Sequence, residues 1–330
     1  MKVLVLGGAG YIGSVLCDYL DSQGDEVMAF DNLLYETELS GFGPQRFFLG
    51  DIRNVFELEQ CIKRYDAVVN LAALSNDPLS DLDPDQAMDI NFRANEQVAE
   101  LCRRYNKKAI YASSCSVYGF SENEIFNEDS QVDPVTLYAK TKMLSEKFYS
   151  SPDLDAVILR FATVYGFSKK PRFDLVVNTM IGTGYFENKI VVNGGAQWRP
   201  VIHVRDVAHA IYLSLHATRL NFRVLNVGSN EQNYKIEDLG KMIAAKMPNA
   251  TFVCNKDSTD KRSYRVDFSR IQRVLNFRPK YVVNDAVLEL KDAFEKKIIG
   301  NMQQDVYYRV KYLKNGGGVK KIWEHNIKLR

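Results

Sequence analysis

Apolar runs and amphipathic segments alternate along the first half of the chain, and this alternation predicts strands and helices in turn. The run KVLVL at residues 2–6 is continuous and apolar, which is typical of a strand buried on both faces. The segment that follows places Ile12, Leu16 and Leu20 on one face of a helix. Further strands are predicted at EVMAFD, QRFFLGD, AVVNLAA, KAIYASS and DAVILRF. Such alternation predicts a doubly wound parallel sheet with right-handed crossovers.

Capping residues mark the starts of two intervening helices. Asn54 is expected to cap a helix that runs to Lys63. Asp83, followed by a proline at the first helical position, is expected to open a long helix that ends near Tyr105. The segment TLYAKTKMLSEKFYS at residues 136–150 is also predicted to be helical.

The alternation loosens after Gly166. A helix is predicted within residues 168–184, a short strand at KIVVNG, and a strand at VIHVRD. The strand FRVLNVG at residues 222–228 is expected to rejoin the main sheet, after a helix over residues 206–217. Two more helices are predicted at residues 235–247 and 269–275. The chain is therefore expected to have a second, smaller lobe of mixed α/β structure.

Composition excludes several function classes. No apolar run approaches the roughly 20 residues that cross a bilayer, and the first residues lack the features of a secretory signal. The formal charge is only +2, which argues against a nucleic-acid partner. The five cysteines are scattered and the four histidines are not closely paired, so we expect no metal site. We expect a cytoplasmic protein with no nucleic-acid or membrane partner.

The end of the chain carries an excess of positive charge. Residues 301–330 contain seven lysines and arginines but only two acidic residues. A run of this kind usually forms a solvated surface. We therefore expect a solvated basic C-terminal extension over residues 301–330.

A glycine-rich segment, GGAGYIG, lies between the first predicted strand and the first predicted helix. Gly8, Gly10 and Gly13 fit the spacing G-x-G-x-x-G, and Gly7 adds a second, overlapping triplet. Such glycines allow a tight turn and a close approach to a pyrophosphate, which the helix N-terminus attracts. Asp31 ends the next strand, where a carboxylate binds a ribose diol and repels a 2′-phosphate. The expected cofactor is therefore NAD.

A second cluster of polar residues indicates proton transfer. Tyr138 and Lys142 lie four residues apart and share one helix face. The segment SSCSVYG, with Ser113 and Ser114, ends the fifth strand, at the edge where an open sheet binds its ligands. A nearby ammonium and a positively charged nicotinamide ring favour a phenolate. A serine hydroxyl can bond the reacting oxygen.

These motifs, in this order, resemble the extended short-chain dehydrogenases/reductases of the nucleotide-sugar epimerase and dehydratase group. The stretches that carry the resemblance, which covers residues 1 to about 275, are GGAGYIG, GDIRN, NLAA, SSCSVYG with YAKTK, and WRPVIHVRDV. The resemblance implies an α/β fold in which a Rossmann doubly wound parallel sheet carries a smaller C-terminal substrate lobe. The NAD-binding domain is expected over residues 1–165, rejoined by 204–229. The sugar-nucleotide lobe is expected over residues 166–203 and 230–300.

The resemblance also implies roles for individual residues. The catalytic residues are expected to be Ser114, Tyr138 as the base, and Lys142. The cofactor is expected to contact Gly7, Gly10, Tyr11, Ile12, Gly13, Asp31, Asn32, Asp51, Ile52, Leu71, Ala72, Ala73, Ser113, Tyr138 and Lys142. The substrate is expected to contact Ser114, Thr163, Asn178, Arg199 and Arg262. Asn91 is expected behind the site, and the chain is expected to form a homodimer.

Departures from the family pattern narrow the chemistry. Sugar-nucleotide 4,6-dehydratases follow the serine or threonine with Asp-Glu, where this chain has Cys115 and Ser116. Neither residue suits that acid/base work, and Cys115 is expected to be a buried thiol. Thr163 replaces the asparagine of UDP-galactose 4-epimerases, which argues against UDP-galactose as the substrate. His203 is expected to pack beside Asp206 rather than to catalyse.

Three functions remain open from the sequence. The leading hypothesis is an NAD-dependent epimerase that inverts C4 of a nucleoside-diphosphate sugar through a transient 4-keto intermediate. The same residues would serve a 4-keto-sugar reductase or a 4-dehydrogenase of surface-sugar biosynthesis. A non-catalytic dinucleotide sensor is the third hypothesis, and the complete Ser–Tyr–Lys set argues against it.

Overall fold

A long parallel sheet and three small sheets organise the chain. The computed structural model describes residues 1–35, 44–218, 220–256 and 262–317. In that part of the chain the strands are β1 (Lys2–Leu6), β2 (Glu26–Asp31), β3 (Phe47–Leu49), β4 (Ala67–Asn70), β5 (Lys108–Ser114), β6 (Ile125–Phe126), β7 (Ala156–Phe161), β8 (Thr163–Tyr165), β9 (Lys189–Asn193), β10 (Trp198–His203), β11 (Val224–Val227), β12 (Asn233–Lys235), β13 (Thr251–Asn255) and β14 (Arg265–Val266).

The helices connect these strands and cover the long sheet. Over the same described residues they are α1 (Tyr11–Ser22), α2 (Val55–Ile62), α3 (Asp77–Leu82), α4 (Pro84–Met88), α5 (Ala94–Arg104), α6 (Leu137–Tyr149), α7 (Val176–Phe186), α8 (Val204–His216), α9 (Ile236–Ala244), α10 (Ser269–Leu275), α11 (Val283–Glu295) and α12 (Arg309–Lys314). A π-helical turn, Asp89–Arg93, joins α4 to α5. The predicted long helix therefore contains this turn.

The long sheet has seven strands in the order β3-β2-β1-β4-β5-β7-β11, and every neighbouring pair is parallel. Strand β1 shows why its sequence is apolar throughout. Val3 and Val5 join the core on one face, with α1 and α8, whereas Leu4 and Leu6 join the core on the other face, with α2, α5 and α6. All four side chains are fully buried. The prediction of a doubly wound parallel sheet is confirmed.

The smaller lobe has its own core. Strands β9 and β13 pair in parallel, and α7, α9 and α11 pack around them with a third cluster of buried residues. Strand β10 pairs with β8 and β12 and lies between the two lobes. Strand β11 pairs with β7, as the sequence predicts for the segment that returns to the larger lobe. We propose that the NAD-binding domain comprises residues 1–165 and 204–229, and that the sugar-nucleotide lobe comprises residues 166–203 and 230–300.

The C-terminal extension differs from the expectation. Residues 318–330 lie outside the described residues, but residues 301–317 are not a solvated tail. Met302 and Arg309 are buried, and Val310 and Leu313 pack against the core of the larger lobe. The expectation of a solvated tail rests on charge. The apolar residues between the basic ones pack against distant parts of the chain, and the sequence does not show those contacts.

Candidate active site

One cleft of about 1110 Å³ opens at the carboxyl ends of the parallel strands, between the two lobes. This is where an open α/β sheet is expected to bind its ligands. The cleft is lined by nearly all of the predicted site residues: Gly7, Gly10, Tyr11, Ile12, Gly13, Asp31, Asn32, Asp51, Ile52, Leu71, Ala72, Ala73, Ser113, Ser114, Tyr138, Lys142, Thr163, Arg199 and Arg262. Asn178 is not among the lining residues.

The glycine turn leaves no room for side chains. Gly7 has a φ of +77°, and a Cβ there would lie 2.8 Å from the Ala72 backbone nitrogen. A Cβ on Gly13 would lie 2.3 Å from the Gly7 carbonyl oxygen. Gly10 caps α1 without a side-chain hydrogen bond, so the first N–H groups of this helix face the cleft. A bare helix N-terminus beside a turn without side chains fits the diphosphate of a dinucleotide.

Asp31 is held at the end of β2 by backbone donors. The Ala9 N–H donates to its Oδ2 at 3.1 Å, and the Leu33 N–H donates to its Oδ1 at 2.9 Å. Burial raises the pKa of Asp31, while these two bonds and the positive charges of Arg309 and Lys170 oppose the rise. A fixed carboxylate facing the cleft at this position fits a ribose diol.

Asp51 fixes the next part of the wall. Its carboxylate accepts hydrogen bonds from Asn32 at 3.1 Å and from the Arg53 guanidinium at 2.6 and 2.9 Å. Burial would raise the pKa of Asp51, but the bonds from Arg53 outweigh burial and hold it below its usual range. Asn91 lies behind the neighbouring loop and bonds both backbone atoms of Leu74, which agrees with its expected place.

Ser114, Tyr138 and Lys142 meet in the middle of the cleft. Thr136 caps α6 through the Ala139 N–H, and the first two turns of that helix carry Tyr138 and Lys142. The Lys142 ammonium donates to the Ala112 carbonyl at 2.7 Å and lies 5.8 Å from the centre of the Tyr138 ring. Ser114 ends β5, lines the same cleft as Tyr138, and lowers the pKa of the tyrosine.

Burial acts on the two ionisable groups in opposite directions. It raises the pKa of Tyr138 well above its usual range; Asp77 raises it further, whereas Arg172 and the bond from Ser114 lower it. Burial also lowers the pKa of Lys142 to about 7, although the carboxylate of Glu146 opposes the shift. Both shifts disfavour charge, so a phenolate at Tyr138 needs further positive charge beside it.

A buried ion pair lies directly behind Lys142. Glu146 follows one turn later on α6, and its carboxylate accepts hydrogen bonds from Arg160 at 2.6 and 2.9 Å and from Ser113 at 2.5 Å. Arg160 also donates to the Tyr118 hydroxyl at 3.0 Å. This network joins α6 to β5 and β7, the strands that carry the proposed catalytic serine and the far wall of the cleft.

The substrate side of the cleft contains two arginines. Arg199 lies within β10 rather than just before a strand, and its guanidinium lies 5.5 Å from the Tyr264 ring centre. Arg262 forms an ion pair with Asp77. Arg199 donates to the Arg262 carbonyl, so the two arginines are adjacent although 63 residues separate them.

Asn178 is placed differently from its expected role. Its side-chain amide is fully buried and bonds the Gly166 N–H, the Tyr11 hydroxyl and the Arg172 carbonyl. These bonds tie α7 to the loop that follows β8. Because the amide is used in this way behind the wall, the position does not support a substrate contact.

Cys115 and Ser116 occupy the places of the dehydratase acid pair. Cys115 is fully buried, and burial raises the pKa of its thiol above the usual range. Ser116 lines the cleft and donates to the Ser114 hydroxyl oxygen at 2.9 Å, so it orients the proposed catalytic serine. His203 is fully buried and lies close enough to Asp206 to act on its charge; its imidazole lies 3.1 Å from Glu289, a contact that the sequence does not predict.

Four charged residues that line the cleft are not predicted from the sequence: Asp77, Arg172, Asp174 and Arg309. Asp77 has a local signal in the sequence: Asn76 caps the short helix that Asp77 begins, in the segment that follows β4. Arg172 pairs with Asp174 and donates to Ser75 across the cleft. Arg309 comes from the C-terminal segment, and no local motif marks it.

The fold and this site define a dinucleotide-binding oxidoreductase of the Rossmann type with a Ser–Tyr–Lys set. The family model described as "NAD dependent epimerase/dehydratase family" matches residues 3–228. This chain therefore belongs to that family, which confirms the resemblance read from its motifs and NAD as the cofactor. In the described residues no helix is both long and apolar enough to cross a membrane.

Individual relatives agree with this assignment. A UDP-glucuronate 4-epimerase from Thermodesulfobacterium geofontis is 29% identical over 307 residues, which cover 86% of this chain and 93% of the relative. A UDP-glucose 4-epimerase from Lactobacillus helveticus is 28% identical and covers 87% of this chain and 95% of its own length. The structure of MoeE5 in complex with UDP-glucuronic acid and NAD superposes with a TM-score of 0.78 at 27% identity, covering 90% of this chain and 99% of MoeE5.

Proposed function

We propose that this protein is an NAD-dependent epimerase that inverts C4 of a nucleoside-diphosphate sugar through a transient 4-keto intermediate. The observation that carries the proposal is the meeting of Ser114, Tyr138 and Lys142 beside the glycine turn in one cleft. The relatives that act on UDP-glucose and UDP-glucuronate favour UDP as the nucleotide.

The residues of the cleft divide the work between them. Tyr138 takes the proton from the sugar O4 and returns it, and Ser114, oriented by Ser116, donates a hydrogen bond to that oxygen. Lys142 holds the nicotinamide ribose and supplies positive charge to Tyr138. Bound NAD supplies the acceptor and donor of hydride, and its oxidised ring adds the positive charge that favours a phenolate.

The rest of the cleft binds the ligands. The glycine turn, the N-terminus of α1 and Asp31 hold the cofactor, and Arg199 and Arg262 hold the diphosphate of the sugar nucleotide. Arginine suits this role because its planar group can meet two phosphate oxygens at once. The closeness of the two arginines supports a shared ligand.

The pair Cys115–Ser116 supports epimerisation over water loss. A 4,6-dehydratase needs a second acid and base at the sugar, and here one place holds a buried thiol and the other a serine bonded to Ser114. The same site would also serve a one-way 4-dehydrogenase or 4-keto reductase. These enzymes differ from an epimerase because the dehydrogenase releases NADH, and the reductase releases NAD, after each turnover.

A panel assay separates these activities. Purified protein is incubated with UDP-glucose, UDP-glucuronate and their C4 epimers, with and without added NAD or NADH, and the products are resolved by chromatography and mass spectrometry. We expect interconversion of C4 epimers with no net change in NADH absorbance. Stoichiometric NADH formation would favour the dehydrogenase, and a product lighter by one water would overturn the proposal.

We further propose that the protein is a cytoplasmic homodimer. All five cysteines are free thiols, which supports a reducing compartment. Light scattering coupled to gel filtration measures the oligomeric state, and a monomeric mass would contradict the dimer.

A further inference from the structure

The segment of residues 301–317 joins the two lobes along the cleft. On the smaller lobe, Met302 packs beside Gly182, and the Phe173 N–H donates to the Tyr307 carbonyl at 3.0 Å. On the larger lobe, the Tyr312 ring lies 6.2 Å from the Tyr35 ring, and Leu313 packs against the core. Between these two anchors, α12 places Arg309 in the wall of the cleft.

Arg309 is a buried charge with little compensation. Its side chain is 4% exposed, and its guanidinium lies 4.3 Å from the Tyr35 ring centre. One N–H donates to the Val306 carbonyl at 3.1 Å. Over the described ranges no carboxylate oxygen comes within 4 Å of this guanidinium, which has five N–H donors. A buried cation without a counter-charge is costly, so the position favours an anion in the cleft.

Two more cations lie close to Arg309. Lys170 and Arg172 are both buried, and Arg172 lines the same cleft. Burial, followed by the charge of Arg172, lowers the pKa of Arg309 to about 10, and Tyr35, Asp174 and Asp31 oppose the shift. Arg172 is paired with Asp174, but the positive charges of Arg172 and Lys170 still oppose the charge of Arg309, and an anion bound beside Arg309 would relieve that repulsion.

The loop that carries these cations is fixed beside the glycine turn. The Ser168 hydroxyl donates to the Tyr11 carbonyl at 2.8 Å and lies 3.0 Å from the Ser14 hydroxyl at the start of α1. The Lys170 N–H donates to the same Ser168 oxygen. The loop that carries Lys170 and Arg172 therefore lies next to the helix N-terminus that attracts a dinucleotide diphosphate.

We propose that Arg309 is a cofactor-binding residue that contacts the diphosphate of NAD, and that the segment of residues 301–317 thereby retains the cofactor in the cleft. The inference rests on NAD binding as part of the proposed function, and deepens it. The family match ends at residue 228, so this residue lies outside the region by which the family is defined. Retention suits an epimerase, since the same cofactor molecule must give and take the hydride in each turnover.

Binding of dinucleotide fragments tests the proposal. Titration calorimetry on protein stripped of cofactor measures Kd for NAD, for ADP-ribose, which keeps the diphosphate, and for adenosine, which lacks it. We expect Arg309→Ala to raise Kd for NAD and ADP-ribose about ten- to a hundredfold, the effect of a lost hydrogen bond to a charged group. The Kd for adenosine should stay within about twofold.

Matched variants make the result decisive. Lys314→Ala removes an exposed positive charge from the same helix and should bind all three ligands as the wild type does. Arg309→Gln keeps a polar, though shorter, side chain without the charge; it is expected to show the same loss and replaces Arg309→Ala if that variant fails to fold. An NAD affinity within about twofold of wild type in a folded Arg309 variant, or an equal loss for adenosine, would overturn the assignment.

The amount of cofactor retained gives a second readout. After gel filtration of freshly purified protein, we expect Arg309→Ala to hold much less NAD per chain than wild type and Lys314→Ala. None of these measurements uses a nucleoside-diphosphate hexose, the class of substrate that the proposed function requires. A wild type that binds NAD tightly but does not epimerise any sugar nucleotide would therefore refute the proposed function and leave the role of Arg309 intact.

Discussion

Removing one partner of the buried ion pair between Glu146 and Arg160 is expected to lower the free energy of unfolding strongly. Glu146 is 7% exposed and Arg160 is 5% exposed, and two hydrogen bonds join them. Glu146→Ala removes the carboxylate and leaves the Arg160 guanidinium buried with the Tyr118 hydroxyl as its remaining side-chain partner. The Ser113 hydroxyl also loses its acceptor.

The magnitude follows from the charge left behind. Breaking a buried ion pair by removing one partner costs about 3–5 kcal/mol, because the remaining ion is neither hydrated nor paired. With a urea m-value of about 3 kcal/mol/M, the unfolding midpoint should fall by about 1 M or more. Replacing both partners by apolar residues, in Glu146→Leu/Arg160→Met, should restore much of the loss, since no unpaired charge then remains.

Equilibrium urea unfolding, followed by circular dichroism, measures these changes. Glu100→Ala is the matched control, because Glu100 pairs with Arg103 on the surface of α5, where solvent screens the pair and its loss should barely move the unfolding midpoint. A midpoint for Glu146→Ala equal to that of Glu100→Ala would refute the reasoning. A double variant less stable than Glu146→Ala would show that packing, and not the unpaired charge, dominates at this site.

Three further predictions concern the cleft itself. Tyr138→Phe should lose at least about a hundredfold in kcat while its Kd for NAD stays unchanged, and near-normal turnover would exclude Tyr138 as the base. Calorimetry should show that wild type binds NAD more tightly than NADP, and Asp31→Ser should narrow that preference about tenfold or more; tighter binding of NADP by wild type would contradict the role of Asp31. Because burial lowers the pKa of Lys142 to about 7 from an unfolded value near 10.5, the folded state binds fewer protons between these pH values, and its stability relative to Lys142→Met should rise by about 2 kcal/mol from pH 7 to pH 9. Equal pH dependence of urea unfolding in the two proteins would contradict that placement of Lys142.

The parts of the site that the sequence predicts are those that short-range rules determine. The glycine turn follows from one strand–helix junction, and Asp31 follows from the end of the next strand. Tyr138 and Lys142 lie on one helix face because four residues separate them. All of these positions line the cleft, since the carboxyl ends of parallel strands meet at one edge of the sheet.

The parts that the sequence does not predict depend on contacts between distant segments. Arg309 meets Tyr35 across more than 270 positions, and Arg262 meets Asp77 across 185. No periodicity or motif records such pairings. Asn178 is predicted to contact the substrate because its residue type suits that role. Its amide instead hydrogen-bonds the distant backbone of Gly166, a contact that the sequence does not show.

The acid/base groups in the cleft favour inversion of the sugar C4 centre over loss of water. In the proposed reaction Tyr138 and Ser114 would act at one sugar oxygen, and Ser116 orients the serine. The two positions at which a dehydratase carries its second acid and base hold the buried Cys115 and Ser116, so no such pair is available there. A site in which Tyr138 exchanges one proton with one sugar oxygen, and in which the 301–317 segment helps to hold the cofactor, would be suited to oxidising a carbon and reducing it again. The proposed reaction therefore requires that the keto sugar and the reduced cofactor both stay bound between the two steps, and the contact that we propose for Arg309 would meet the second of these requirements.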